Sequence, residues 1–188
     1  MVVASEQATQ VQEARAGNPA AWDPLFRRYQ LPLYAYVFEM VREEQTSLDL
    51  VQETFISACR HLDTLAEDEK FGAWLFGIAH QKCLQRWRAQ KRDRLVWDEQ
   101  EALPEDAPCS DDDPGGCLLR REQEEAFMAL IEHLSLPHRS VLLLHYLEEF
   151  PLAEIATITG ASLGTVKSRL HYAKSALREL LAQTDLRS

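Results

Sequence analysis

The chain has 188 residues and a formal net charge of −10 at pH 7. That length allows one medium domain or two small ones, and no apolar run comes near the roughly 20 residues that span a bilayer, so membrane insertion is not expected. Met1-Val2-Val3-Ala4-Ser5-Glu6-Gln7 has neither a basic start nor a long apolar stretch, so it does not read as an export signal, and a soluble cytoplasmic protein is expected.

The acidity is not spread evenly. Residues 1–92 carry 12 acidic and 11 basic side chains, residues 93–125 carry 12 and 3, and residues 126–188 carry 6 of each. Nearly all the excess lies in one segment of 33 residues, and the near-neutral flanks have room for local basic faces.

Taken in chain order, residues 1–17 read as an N-terminal tail. Asn18-Pro19 resembles a helix N-cap followed by a first-turn proline. Trp22, Leu25, Phe26, Tyr29, Leu33, Tyr36, Val37 and Met40 then recur at helical spacing, with Pro32 expected to break or bend the helix. Ser47 is placed to cap a second helix with Leu48, Val51, Phe55, Ala58 and Leu62 on one face. A third helix is predicted from about Lys70 to Arg92, with Phe71, Trp74, Leu75, Ile78, Ala79 and Leu84 apolar. No alternating strand pattern occurs, so the fold class is all-α.

Residues 94–117 combine Pro, Gly and runs such as Asp111-Asp112-Asp113 with few apolar side chains. Such a stretch buries too little surface to offset its ordering entropy and reads as a flexible acidic linker. It separates a helical domain over 18–93 from a second over 118–188. In the second, helices are predicted over Cys117–Leu134, Leu136–Leu147, Pro151–Thr159 and Ser162–Ala182.

The last two helices form a helix-turn-helix pattern. Gly160 suits the left-handed residue that ends the first helix, and Ser162 suits the N-cap of the second. Val166, Leu170, Ala173 and Leu177 define a buried face; Thr165, Ser168, Arg169 and Tyr172 are expected to fall away from it, flanked by Lys167 and Lys174. Short hydrogen-bonding side chains and cations near a helix N-terminus suit a DNA major groove, and the alternative is a helical hairpin with a solvated polar face.

Two features of the first domain can carry binding. Asp49, Gln52 and Glu53 share one helix face and can meet a basic partner. Lys82, Arg86, Arg88, Lys91, Arg92 and Arg94, with Trp87 among them, make a basic helix end able to contact phosphates. Trp74 can stack on an unpaired base or belong to the core. No converging acid, base and nucleophile set and no phosphate loop is present, so neither an enzyme nor a cofactor is expected. His80 and Cys83, at i and i+3, can ligate a metal only with the remote Cys59, and no metal site is expected. Cys109 and Cys117 lie in the acidic segment, where oxidant sensing is an alternative to four free thiols.

Leu163-Gly164-Thr165-Val166-Lys167-Ser168-Arg169-Leu170-His171 resembles the DNA-reading helix of the extracytoplasmic-function (ECF) group of bacterial RNA polymerase sigma factors. Asp49-Leu50-Val51-Gln52-Glu53-Thr54-Phe55 resembles the region 2 helix of that group, and Phe71-Gly72-Ala73-Trp74-Leu75-Phe76-Gly77-Ile78-Ala79 the helix that follows it. The resemblance implies that Asp49, Gln52 and Glu53 meet the β′ clamp helices of RNA polymerase core. It implies that Trp74, Gln81, Lys82, Gln85, Arg86, Arg88, Lys91 and Arg92 lie near the −10 promoter element. It implies that Ser162, Thr165, Lys167, Ser168, Arg169 and Tyr172 meet the −35 element, that the linker threads the RNA exit channel, and that an anti-sigma factor is a partner. Gln81, Gln85, Gly77 and Tyr172 depart from the commoner family residues, so specific −10 bases do not transfer. A DNA-binding regulator using only the second domain, or a module that sequesters a partner, would have no need of both motif sets.

Overall fold

The computed structural model describes residues 2–95, 131 and 133–185. Among the described residues no strand occurs, and the chain divides into two compact units. The N-terminal unit contains α1 (Val2–Arg15), α2 (Trp22–Val41), α3 (Glu44–His61) and α4 (Phe71–Leu95), with short 3₁₀ turns at Pro19–Ala21, Leu62–Thr64 and Asp68–Lys70. The C-terminal unit is built on α5 (Leu136–Tyr146) and α7 (Leu163–Asp185), with α6 (Leu152–Thr159) between them in the chain. The predicted helix over Cys117–Leu134 and most of the acidic segment 94–117 lie outside the described residues; residues 94 and 95 continue α4.

Residues 1–17 are not a tail. Residues 2–15 form α1, which packs on α2 and on the 3₁₀ turn before α4. Its buried side is Gln7, Ala8, Val11 and Ala14, whose small side chains recur at helical spacing but present little apolar area. Polar bonds complete the docking. The Tyr29 hydroxyl donates to Gln7 Oε1 at 2.6 Å, and Gln7 Nε2 donates to the Glu69 carbonyl at 3.3 Å. Arg15 donates to the Leu65 carbonyl at 2.9 Å and pairs with Asp68 at 2.7 Å. The helix ends at Gly17, whose φ of +86° an L side chain resists. Asn18 caps the next turn by accepting from Ala20 N at 3.1 Å.

Pro32 does not break α2, which runs unbroken through it. The lost backbone bond is offset by burial of Leu25, Leu33, Tyr36 and Val37 on both sides of the proline. Arg42 ends the helix in the left-handed region (φ 58°), its N–H donating to Phe38 O at 2.7 Å.

Ser47 is not the cap of α3. The helix starts at Glu44, Glu43 is the capping position, and Ser47 is buried within the first turns, donating to Glu43 O at 2.7 Å. Thr54 donates to Leu50 O in the same way. Each hydroxyl is thereby satisfied inside an apolar interface by its own helix. The core between α2 and α4 holds Leu25, Leu33, Phe71, Leu75 and Phe76, and one buried polar pair in which the Tyr36 hydroxyl and His80 Nδ1 lie 2.8 Å apart.

In the C-terminal unit, Pro137 sits in the first turn of α5 and Val141, Leu142, Leu143 and Leu144 are all buried. Gly160 takes φ +67° after α6, and Ala161 N donates to Ala156 O at 3.1 Å, closing the helix end. Ser162 Oγ accepts from Thr165 N at 3.1 Å and so caps α7. Val166, Leu170, Ala173 and Leu177 form the buried face of α7, and α7 packs on α5.

Candidate nucleic-acid and partner interfaces

On α3, Asp49, Gln52 and Glu53 are all exposed. Their spacing puts them on one face because Leu50, Val51, Thr54 and Phe55 are buried on the other. Asp49 accepts from Gln45 Nε2 at 3.2 Å, and Glu53 accepts from Lys82 Nζ of α4 at 3.3 Å.

The acidic stripe borders an apolar groove of about 880 Å³ between α2 and α3. Phe26, Leu31, Leu48 and Ile56 line it while remaining exposed, Leu31 at 71%. Gln52 belongs to both the stripe and the groove. Clustered exposed apolar side chains of this kind mark an interaction surface. Phe26 and Leu48 had the spacing of core residues, and the helix periodicity could not separate a groove wall from a core. Leu31 beside Pro32 carried the one available signal, an apolar residue out of phase with the buried set. Cys59 also lines the groove, and partial burial raises its thiol pKa.

On α4, Gln81, Gln85, Arg88 and Arg92 are exposed and recur at four, three and four residues, which makes one open face. Gln85, Trp87, Arg88, Lys91 and Arg92 surround a recess of about 400 Å³, with Lys91 Nζ 5.4 Å from the Trp87 ring. Lys82 and Arg86 are turned toward α3: Arg86 pairs with Glu43 at 3.6 Å, as Lys82 does with Glu53. Trp74 is half-buried, its ring 5.9 Å from that of Phe71. Cys83 is buried, and desolvation pushes its thiol up to about 12. His80 Nδ1 is engaged with Tyr36. Among the described residues no three His, Cys, Asp or Glu side chains converge as a metal site.

On α7, Ser168 is corrected. It does not fall away from the packed face but is buried, donating to Gly164 O at 3.1 Å. Lys167 is exposed; Thr165, Arg169 and Tyr172 are half-exposed. The Thr165 and Ser162 hydroxyls lie 2.9 Å apart, so the cap also orients Thr165. The Tyr172 ring lies 6.2 Å from that of His138 on α5.

Two exposed, chemically distinct helical faces in one unit and a helix-turn-helix in the other define the class of a two-part DNA-associated factor. The comparisons specify it. The Sigma-70 region 2 family matches residues 25–93, and the Sigma-70 region 4 family matches residues 124–177. The ECF RNA polymerase sigma factor SigL of Mycobacterium tuberculosis is 30% identical over 175 residues, covering 92% of this chain and 96% of the relative. SigW of Bacillus subtilis is 28% identical, covering 91% and 94%. Among solved structures, CnrH in complex with the cytosolic domain of CnrY aligns with a TM-score of 0.70 at 24% identity, covering 95% of this chain and 98% of that one. RpoE in complex with the anti-sigma factor NepR from Bartonella quintana aligns with a TM-score of 0.64, covering 85% and 97%; both show likeness of fold. The chain belongs to the ECF group of RNA polymerase sigma factors and directs promoter-specific transcription initiation with RNA polymerase.

Among the described residues no helix is long and apolar enough to cross a membrane.

Proposed function

We propose that the two units divide the work of initiation between named surfaces. The domain over 18–93 docks on the β′ clamp helices of core polymerase through Asp49, Gln52 and Glu53, with Phe26, Leu31, Leu48 and Ile56 adding apolar area beside the polar stripe. The observation that carries this reading is the open acidic stripe bordering an unfilled apolar groove, a combination suited to a partner helix with basic and apolar side chains. α4 presents Gln81, Gln85, Arg88 and Arg92 toward the −10 region, with Lys82, Arg86 and Lys91 beside them and Trp74 at the start of the helix. The domain over 118–188 reads the −35 element through Ser162, Thr165, Lys167, Arg169 and Tyr172, while Ser168 supports the reading helix from inside. Segment 94–117 joins the domains and its charge suits a basic channel that accommodates RNA.

The protein acts in the cytoplasm as a binding factor, without catalysis or cofactor. An anti-sigma factor is a further partner, as NepR is for RpoE of Bartonella quintana. Run-off transcription with core polymerase tests the division of labour. Asp49→Ala, Gln52→Ala and Glu53→Ala together are expected to lower core affinity, whereas Arg169→Ala lowers −35-dependent transcription and leaves core affinity intact. Unchanged core affinity in the triple variant would overturn the docking surface.

A further inference from the structure

The Glu53–Lys82 pair crosses from α3 to α4, and the Glu43–Arg86 pair joins the residue that precedes α3 to α4. The first joins an acidic group on the helix proposed to dock on polymerase to a cation on the helix proposed to face promoter DNA. We propose that Glu53 couples the two events: in the free protein it holds Lys82 and neutralises it, and polymerase docking releases Lys82 for a DNA phosphate. The inference rests on the docking role given to Glu53 above.

The geometry favours exchange. The Glu53 side chain is 59% exposed, so a partner cation reaches its carboxylate without first displacing Lys82. The Lys82 contact, at 3.3 Å, is longer than the roughly 2.7–2.9 Å of strong charge-assisted bonds. A closer bond from a basic partner therefore displaces it readily. Asp49 lies one turn away on the same face and adds a second negative charge near the Glu53–Lys82 pair. A basic partner over Asp49 and Glu53 neutralises both carboxylates and leaves the charge of Lys82 unopposed. Arg86 stays paired with Glu43, at the capping position before α3 and ten residues ahead of Glu53, so the exchange at Glu53 is local.

The test uses the free full-length protein and a labelled DNA duplex of fixed sequence, followed by fluorescence anisotropy over a range of salt. Glu53→Gln is expected to raise duplex affinity about two- to fivefold at low salt, the scale of an exposed ion pair. It should also steepen the log–log salt slope by about 0.9, one added phosphate contact. In a Lys82→Gln background the same substitution should give no gain. No gain in the wild-type background, or an equal gain in both backgrounds, overturns the coupling. Core affinity of Glu53→Gln, measured in parallel, separates the two readings. If it falls without any gain in duplex affinity, the coupling alone fails; if it is unchanged, the docking role of Glu53 fails and the coupling with it.

Discussion

The Ser168 hydroxyl donates to the Gly164 carbonyl 3.1 Å away, within the first turns of α7, and this places Ser168 among the groups that hold the helix rather than those that face outward. Its neighbours at 167 and 169 stay at the surface because one residue turns a helix by about 100°. Ser168→Ala is expected to leave −35-dependent transcription within about twofold of wild type and to change stability by no more than about 1 kcal/mol. Ser168→Arg, which must bury a charge at the same place, should unfold the C-terminal unit. Thermal melts by circular dichroism beside transcription assays check both; a large loss of −35 use by Ser168→Ala with unchanged stability would return Ser168 to the DNA face.

Tyr36→Phe removes the hydroxyl that meets His80 Nδ1 inside the α2–α4 core. A buried polar group that loses its partner costs about 1–3 kcal/mol. Trp22, Trp74 and Trp87 lie in the N-terminal unit and no tryptophan follows Trp97, so tryptophan fluorescence reports on that unit and not on the C-terminal one. The denaturation midpoint read by fluorescence should fall, and a melt unchanged from wild type would show that the pair contributes nothing.

Arg15→Ala should loosen α1 from the segment between α3 and α4, since Arg15 meets both the Leu65 carbonyl and the Asp68 carboxylate there. The side chain is about one-third exposed, so a loss of about 1 kcal/mol is expected. Faster backbone amide exchange confined to α1 and residues 62–70 is the measurement; Arg15→Lys should recover part of the protection by keeping the charge without the fork.

Glu148 gives a pH dependence with a definite sign. Burial pushes its carboxyl up from the usual range to about 7. The folded state then holds the proton more tightly than the unfolded state, so this group's contribution to stability is present at acid pH and is lost as pH rises from about 4.5 toward 7. Glu148→Gln should therefore raise the melting temperature of the C-terminal unit at pH 8 and leave it nearly unchanged at pH 4. Circular dichroism melts at the two pH values decide it, and equal shifts at both would rule out the titration.

The helix-turn-helix was legible in the sequence because its determinants are local. Gly160 is needed for a positive φ, Ser162 for a cap within three residues, and Val166, Leu170, Ala173 and Leu177 for one helical face. The acidic stripe on α3 was legible for the same reason, since i, i+3 and i+4 share a face whatever packs behind them. The α1 docking was not legible, because its contacts rely on small Ala side chains and on polar bonds to residues some twenty to sixty positions away. The continuity of α2 through Pro32 was not legible, because local propensity argues for a break that the buried residues on either side of it override.

Sequence alone therefore determined the all-helical class, the two-part organisation, the acidic segment between the parts, and the family to which the chain belongs. Periodicity, caps and charge distribution are properties of contiguous residues. Only the tertiary structure decided which apolar residues wall a groove instead of filling a core, which hydroxyl of α7 is buried, and which cations of α4 are paired across to α3. Those outcomes depend on the distance between helices far apart in the chain, and no local pattern encodes that distance.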